Sequence, residues 1–285
     1  MKPRVYQESD IAFVIITGAP FYQTRAMAVR DTWLSRVSNY YFLSSKPYPY
    51  LPVTVIPNTQ EDYLSNMNKT FYGLEIIYKH QQKKPEHQRQ KWFYIIGCDT
   101  YVDVNHLLKR LDPFDHKEVY FIGGYTLPRM CWGENNTQFP VEFVAGGPGI
   151  LLSYKLLEVL RSIMLPYFEN VWPKNNSWSD VALSCMVKKL GYNSTIVPGF
   201  YAFTPAYTFG TNRNKKVHDD LEPNNWHYVP HQQMYELDEY HVFHHIDRLV
   251  NDQNWLELTQ FTRDFVASHY EVLRKKKQEC ELPKI

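Results

Sequence analysis

The sequence predicts an α/β fold in which a largely parallel sheet is flanked by helices. Short apolar runs, bounded by glycine, proline or polar residues, alternate with longer segments whose apolar residues recur at helical spacing. Strands that alternate with helices favour a layered structure with a mostly parallel sheet. With 285 residues, 44% of them hydrophobic, and no internal repeat or low-complexity linker, the chain is expected to form a single domain over residues 1–285.

The individual elements follow from these patterns. The first apolar run ends at Gly18 and Pro20, which indicates a buried strand followed by a loop. A helix carrying Met27, Val29 and Trp33 comes next. Residues 200–285 are rich in aromatic residues and histidine, and we expect a helix from about Asp252. Strands are predicted at residues 11–17, 40–43, 52–56, 92–98, 119–122, 150–153 and 195–197, and further helices at residues 61–82, 104–111, 154–163 and 180–190.

Charge and hydropathy exclude several classes of partner. The chain has 31 basic and 30 acidic residues, a net charge of +1, and no long block of one sign. Bulk attraction to nucleic acid or to a membrane surface is therefore not indicated. No apolar stretch approaches the roughly 20 residues that span a bilayer. We expect no nucleic-acid partner and no membrane span in this chain.

The compartment is indicated only by small signals. Four Asn-X-Ser/Thr triplets begin at Asn68, Asn135, Asn175 and Asn193, and no signal-peptide pattern follows Met1. We expect a soluble lumenal part of a longer chain in the Golgi or endoplasmic reticulum, and a cytosolic location stays open. The cysteines show no metal-binding spacing, so one or two disulfides are possible and their pairing is open. The four cysteines are Cys98, Cys131, Cys185 and Cys280.

A carboxylate stands where a central strand ends. The run Lys91-Trp92-Phe93-Tyr94-Ile95-Ile96-Gly97-Cys98 stops at Asp99, and the first strand ends at Thr17. Ligands of such sheets bind beyond the carboxyl ends of the strands. Thr17 and Asp99 are therefore expected on the same functional edge.

Six motifs, in order along the chain, resemble the fringe and core-1 β1,3-galactosyltransferase superfamily, whose members are inverting enzymes of the GT-A fold. Each motif alone is a weak signal, and their common order is the strong one. The motifs are Thr24-Arg25 with Asp31-Thr32-Trp33-Leu34-Ser35-Arg36, Lys91-Trp92-Phe93 with Asp99-Thr100-Tyr101-Val102, Tyr120-Phe121-Ile122-Gly123, Ala145-Gly146-Gly147-Pro148-Gly149, Ser179-Asp180-Val181 and Phe243-His244-His245-Ile246-Asp247. The last motif is similar to one found in a fringe-related branch of the superfamily that is common in plants and fungi.

The resemblance implies transfer of a hexose or N-acetylhexosamine from a UDP-sugar to an acceptor hydroxyl, in β1,3 linkage, on a glycan or glycoprotein. A divalent cation, Mn²⁺ or Mg²⁺, would stabilise the charge that develops on the departing diphosphate. Residues 1–103 would form mainly the nucleotide-sugar half, and residues 104–285 mainly the acceptor half with a C-terminal helix.

The metal site departs from the family's acidic triplet (the DxD motif). The resemblance assigns the metal ligands to Asp99 and His244, with His241 and His245 as neighbouring alternatives. Gly97 and Cys98 stand where the first two acids are usual. One carboxylate and one imidazole could still hold the ion, because the pyrophosphate completes the shell, but affinity without nucleotide should be weak.

The catalytic base of the family corresponds to Asp180. An inverting displacement requires a group that takes the proton of the acceptor hydroxyl. An aspartate at the start of a helix also serves as a cap or complements the helix dipole. The resemblance favours the base, and both interpretations stay open.

The remaining site residues each have a structural alternative. Thr17 and Arg25, with Gly97 and Cys98, are expected at the nucleotide, although a helix-surface arginine is often only solvated. Lys69 and Lys91 could also reach the nucleotide, but lysines on helix faces and strand edges are usually solvated. Gly146, Gly147 and Trp178 are expected to contact the acceptor. The two glycines could instead form a tight turn, and Trp178 could instead be a core side chain.

Two other functions compete with transfer. The altered triplet is compatible with an inactive relative that acts as a chaperone or binding module. A nucleotide-sugar hydrolase, with water as the acceptor, is a weaker third possibility.

Overall fold

The computed structural model describes residues 5–210 and 222–280. A seven-stranded sheet lies at the centre, with a three-stranded sheet and a two-stranded hairpin beside it. The strands are β1 (Ile11–Ile16), β2 (Tyr40–Ser44), β3 (Val53–Val55), β4 (Trp92–Gly97), β5 (Tyr101–Val102), β6 (Phe121–Gly123), β7 (Thr126–Trp132), β8 (Gln138–Val144), β9 (Ile150–Ser153), β10 (Thr195–Ile196), β11 (Phe200–Tyr201) and β12 (Asn225–Trp226). The helices are α1 (Met27–Asp31), α2 (Ser65–Gln82), α3 (Val104–Leu111), α4 (Tyr154–Asn170), α5 (Ser179–Lys189), α6 (Pro205–Gly210), α7 (His231–Asn251) and α8 (Trp255–Cys280).

The central sheet has the strand order β10-β6-β9-β4-β1-β2-β3. Within the described residues, β9 runs antiparallel to its neighbours β4 and β6, and the other pairs in this sheet are parallel. The predicted α/β class with a mostly parallel sheet is therefore confirmed.

Both faces of this sheet are covered, as the uninterrupted apolar runs predict. Along β1, Ala12 and Val14 pack into the core beneath α2, α4 and α5. The alternate residues Ile11, Phe13 and Ile15 pack into a second core with α1, α3 and the start of α7. Because successive side chains of a strand point to opposite faces, one apolar strand serves both cores.

The strand register brings three loops to one edge of the sheet. Ile16 at the end of β1 is paired with Gly97 at the end of β4. Ile95 near the end of β4 is paired with Ile150 at the start of the antiparallel β9. The residues that follow β1 and β4 therefore meet the glycine-rich loop that precedes β9.

The three-stranded sheet, in the order β11-β12-β5, adds a distant segment to the same edge. Trp226 of β12 is paired in antiparallel register with Tyr101 of β5. Residues that follow β12 therefore lie opposite the residues that precede β5. A hydrogen bond of 2.9 Å from the Val229 backbone N–H to the Asp99 carbonyl fixes this arrangement.

Some elements were not predicted. The hairpin β7–β8 was missed because each strand contains a proline, Pro128 and Pro140, and β7 exposes four of its seven residues without alternation. Helix α7 was missed in the histidine-rich segment, and α4 continues past its predicted end through Pro166.

The disulfide pairing left open by the sequence joins Cys131 of β7 to Cys185 of α5. Cys98 is a buried free thiol. In the described part of the chain, no helix combines the length and the apolar character needed to cross a membrane.

Candidate functional site

A cleft of about 610 Å³ lies at the edge of the sheet where these loops meet. It is lined by segments from both halves of the chain, which include most of the residues predicted from the sequence. Those are Thr17, Arg25, Gly97, Cys98, Asp99, Gly146, Gly147, Trp178 and Asp180. His244 is the exception.

Asp99 lies between the guanidinium of Arg25 and the imidazole of His227. Its Oδ2 atom is 3.3 Å from Nη1 of Arg25, and its Oδ1 atom is 3.5 Å from Nε2 of His227. Burial by itself would raise the pKa of the Asp99 carboxyl. The hydrogen bond and charge of His227, and the charge of Arg25, outweigh burial, so the pKa is lowered. Asp99 is therefore an ionised carboxylate at the floor of the cleft.

The imidazole beside Asp99 belongs to His227, which corrects the predicted pairing with His244. Helix α7 places His244 one turn beyond His241, whose Nδ1 atom contacts the carboxylate of Asp103 at 3.2 Å. His244 and His241 consequently line a different cavity. His227 reaches Asp99 because it directly follows β12, whose partner β5 begins two residues after Asp99.

Gly97 and Cys98 line the cleft without supplying a charged ligand. Only 4% of Cys98 is exposed, and burial and the adjacent Asp99 charge raise the pKa of its thiol to about 12. A Cβ atom added at Gly97 would lie 2.6 Å from Oδ1 of Asp99. Among the described residues there is no group of three or more histidine, cysteine, aspartate or glutamate side chains that could hold a metal ion.

Two side chains of the cleft could nevertheless serve as ligands of a divalent cation. Asp99 contributes a carboxylate oxygen, and His227 contributes an imidazole nitrogen on the same side of the cleft. Oxygen ligands suit Mg²⁺ and Mn²⁺, and an imidazole shifts the preference toward Mn²⁺. Two protein ligands leave the rest of the shell to phosphate oxygens and water.

The glycine-rich loop lies between this pair and Asp180. A Cβ atom at Gly147 would lie 2.6 Å from the ring of His227, and one at Gly146 would lie 2.7 Å from Cβ of Asp180. The loop is held by hydrogen bonds from the Tyr94 hydroxyl to the Pro148 carbonyl and from the Gly146 N–H to Oδ2 of Asp180. Glycine is needed here because the backbone approaches both side chains closely.

Asp180 is the second residue of α5 and accepts two backbone hydrogen bonds, from Gly146 and Val181. These donors, and the charge of Arg129, favour the ionised carboxylate, but burial is the larger effect and raises its pKa. A raised pKa makes a carboxylate a stronger base than an ordinary aspartate. The side chain thus binds the first turn of α5 and also faces the cleft.

A buried ion pair supports the opposite wall. Nζ of Lys69, a residue only 2% exposed, lies 3.1 Å from Oε2 of Glu61. Glu61 also accepts a hydrogen bond from the Ala19 backbone N–H, so it ties the loop after β1 to α2. Thr17 beside them is buried, and its hydroxyl has no hydrogen-bond partner within the described residues. Lys91 lies away from this cleft and pairs with Asp10 at 3.1 Å.

Exposed aromatic rings surround the mouth of the cleft. Trp178 is 44% exposed, Tyr63 72% and Tyr228 59%. Tyr228 has a φ of 56°, an uncommon conformation for a bulky residue, and its ring centroid is 3.8 Å from that of His227. Because Trp178 is exposed at the mouth of the cleft, it is not the core side chain that the sequence left open as an alternative. Sequence reasoning missed Glu61, Tyr63, His227 and Tyr228, which no motif marks.

Comparison with known proteins identifies the family. The family model described as Fringe-like matches residues 6–219. The chain belongs to the Fringe-like family. The resemblance seen in the sequence motifs is thereby confirmed.

Relatives of this Fringe-like chain include two proteins named beta-1,3-glucosyltransferase. The one from Mus musculus is 24% identical and the one from Homo sapiens 25% identical, each over 70% of this chain. The chain spans 37% and 36% of their lengths. Among solved structures, a glycosyltransferase involved in the glycosylation of the major capsid of PBCV-1 matches with a TM-score of 0.47 and 14% identity. That match covers 81% of this chain and 98% of the other.

Proposed function

We propose that the chain is an inverting glycosyltransferase that moves a hexose or N-acetylhexosamine from a UDP-sugar to an acceptor hydroxyl on a glycan or glycoprotein. The observation that carries this proposal is the presence of the Asp99–His227 pair and of Asp180 in one cleft. The glycine-rich loop lies between them and contacts both. One group suits a metal-bound diphosphate, and the other suits an acceptor hydroxyl.

Asp99 and His227 would hold Mn²⁺ or Mg²⁺ together with oxygens of the diphosphate. The bound cation would supply stabilisation of the negative charge that develops on the leaving group. Arg25 adds a fixed positive charge beside Asp99. Because the protein supplies only two ligands, we expect weak metal affinity without nucleotide and stronger affinity with it.

Asp180 would accept the proton of the acceptor hydroxyl. The acceptor oxygen then forms a bond to the anomeric carbon, while the bond from that carbon to the diphosphate oxygen breaks and its electron pair leaves with UDP. A single displacement of this kind inverts the anomeric configuration. The Gly146 N–H, which binds Oδ2 of Asp180, keeps the carboxylate in place for the transfer.

The relatives suggest the donor and linkage to test first. Two of them are named beta-1,3-glucosyltransferase, so glucose and a β1,3 linkage have priority over galactose and N-acetylglucosamine. The cleft draws residues from both the proposed nucleotide half, 1–103, and the acceptor half, 104–285. The Cys131–Cys185 disulfide supports a lumenal compartment, because disulfides are rare in reducing cytosol.

A UDP-release assay tests the proposal directly. Purified protein would be incubated with UDP-glucose, UDP-galactose or UDP-N-acetylglucosamine and simple acceptor glycosides, with and without Mn²⁺. We expect metal-dependent UDP release and a β-linked product, both reduced at least about a hundredfold by Asp180→Asn. If no UDP-sugar is consumed and calorimetry shows no UDP binding with Mn²⁺, the proposal is wrong.

The Gly97–Cys98 departure favours one alternative, an inactive chaperone or binding module. This function predicts that Asp99→Asn and Asp180→Asn leave its cellular role intact. Hydrolysis is distinguished by the product, because a hydrolase would release free sugar whether or not an acceptor is present.

A further inference from the structure

Helices α7 and α8 form a two-helix layer that carries an exposed apolar stripe on each helix. They pack against each other, with the ring centroids of His245 and Phe261 4.5 Å apart, and against the rest of the protein through Val242, Leu249 and Val272. The stripes lie on the opposite side of the two helices, and together we call them the outer face. They comprise Tyr240, Phe243 and Val250 of α7 and Leu256, Val266, Tyr270 and Leu273 of α8.

The spacing of the stripes is that of helices that pack on other helices. On α7, residues 240, 243, 247 and 250 recur at alternating intervals of three and four, and on α8 residues 263, 266, 270 and 273 do the same. Side chains at these intervals form one line along a helix, opposite the line that packs inward. Both helices lie beyond residues 6–219, which the family model matches, so membership of the family assigns this face no role.

The outer face is large enough for a stable interface. Its seven apolar residues are between 41% and 86% exposed, and together they present on the order of 800 Å² of surface. A standard interface buries about 800 Å² from each partner. Single exposed apolar residues are common on protein surfaces, but a line of them on each of two neighbouring helices indicates a partner.

One charged residue interrupts each stripe. Asp247 follows Phe243 by one turn on α7, and Arg263 precedes Val266 by one turn on α8. Both charged residues are exposed, and neither forms an ion pair within the described residues. Because the two charges are opposite, the stripe of α7 complements the stripe of α8, whereas two copies of the same stripe would repel each other.

We propose that the outer face binds the outer face of a second copy of this chain, with α7 of each copy against α8 of the other. A two-fold axis along the helices gives this arrangement, in which the facing helices are antiparallel as in a four-helix bundle. Asp247 of each copy then pairs with Arg263 of the other. Tyr240 precedes Asp247 by seven residues and Tyr270 follows Arg263 by seven, so the two rings meet about 10 Å from the ion pair, as antiparallel packing requires. This interface does not depend on the proposed function.

The charges beside the stripes disfavour a membrane surface as the occupant. Glu236 and Glu239 are exposed on α7, the helix whose stripe Asp247 interrupts. Helices that lie on membranes typically carry lysine and arginine on their polar face, which are attracted to anionic lipids. The acidic α7 would be repelled by such lipids, whereas the stripe of α8 in a second copy offers it Arg263.

Sedimentation velocity of the purified chain tests the interface first. We expect the wild type to sediment as a dimer at micromolar concentration, and Val266→Glu to weaken association at least tenfold, because it would bury a charge. Val5→Glu is the matched control, since Val5 and Val266 are both 59% exposed and Val5 lies outside the outer face. A monomeric wild type, or equal association by the two variants, would overturn the proposal. A monomer that floats with phosphatidylcholine vesicles would assign the face to a membrane instead.

A charge swap tests which helices face each other. Asp247→Arg and Arg263→Asp should each weaken self-association at least tenfold, because each places like charges opposite one another. An equimolar mixture of the two variants should recover dimers, since every pair in the mixed dimer again joins an aspartate to an arginine. Circular dichroism of each variant shows that it is folded. If folded variants associate as the wild type does, or if the mixture recovers no dimers, α7 does not pair with α8 of a second copy.

Discussion

The Nε2 atom of His227 lies 3.5 Å from Oδ1 of Asp99, whereas His244 lines another cavity with Asp103. We therefore expect His227→Ala and Asp99→Asn each to lower kcat/KM about a hundredfold or more, as is typical when one stabilising contact to a developing charge is lost. Activity against Mn²⁺ concentration is the measurement. His244→Ala is the control and should retain wild-type activity, so a large loss there would restore the original assignment.

Asp180→Asn should lower kcat by a factor of about 10² to 10⁴, because the acceptor proton loses its base. Burial raises the pKa of Asp180, and only the ionised carboxylate accepts a proton. Activity should accordingly fall as the pH drops through this raised pKa, at a higher pH than an ordinary aspartate would give. A kcat–pH profile measures it, and an acid limb that persists in Asp180→Asn belongs to another group.

Gly147→Ala should impair the proposed metal site without unfolding the protein. The new methyl group would lie 2.6 Å from the His227 ring, so the imidazole must move away from Asp99. We expect weaker binding of Mn²⁺ with UDP, measured by calorimetry. Gly191→Ala is the control: no atom lies within 4 Å of its Cβ position, but its φ of 82° makes the change cost about 1–2 kcal/mol of stability. Its activity should be unchanged.

These sites show how far the sequence was informative. Thr17 and Asp99 were expected near one another because the ends of parallel strands meet at one edge, and the structure brings both into one cleft. Gly146, which the family resemblance added, lines the same cleft. His227 could not be found this way, since it is placed by the pairing of two-residue strands, which have no periodicity to detect. The β7–β8 hairpin was also missed, because each strand contains a proline and β7 exposes four of its seven residues.

Removing the disulfide should destabilise the protein substantially. The two cysteines are separated by 54 residues, and a closed loop of that length restricts the unfolded chain by about 4 kcal/mol in the entropy model. Urea unfolding of the Cys131→Ser/Cys185→Ser double variant measures this loss. Cys98→Ser, which breaks no disulfide, should lose clearly less, and an equal loss would show that thiol removal in general is responsible.

Asp103 should contribute to stability in mild acid. Burial opposes its charge, but the hydrogen bond and charge of His241, the charge of His106 and the backbone N–H of His106 lower its pKa to about 2. A lowered folded pKa stabilises the protein above the ordinary aspartate pKa, and this stabilisation is lost as the pH falls from about 4 to 2.

The matching variant is Asp103→Asn, which retains a residue type that can cap α3. Its free energy of unfolding at pH 5 should be about 2 kcal/mol lower than that of the wild type, and the difference should shrink toward pH 2. A difference that stays constant over that range would mean that the charge of Asp103 is not responsible.

The pairing of β12 with β5 has a consequence for synthesis. A polypeptide that emerges from the ribosome in order would form β1, β4 and the glycine-rich loop long before β12, the strand that precedes His227, becomes available. The imidazole that lies beside Asp99 in the folded protein would thus be absent while the earlier strands assemble. The cleft would be complete only after the late pairing of β12 with β5, two strands of two residues each.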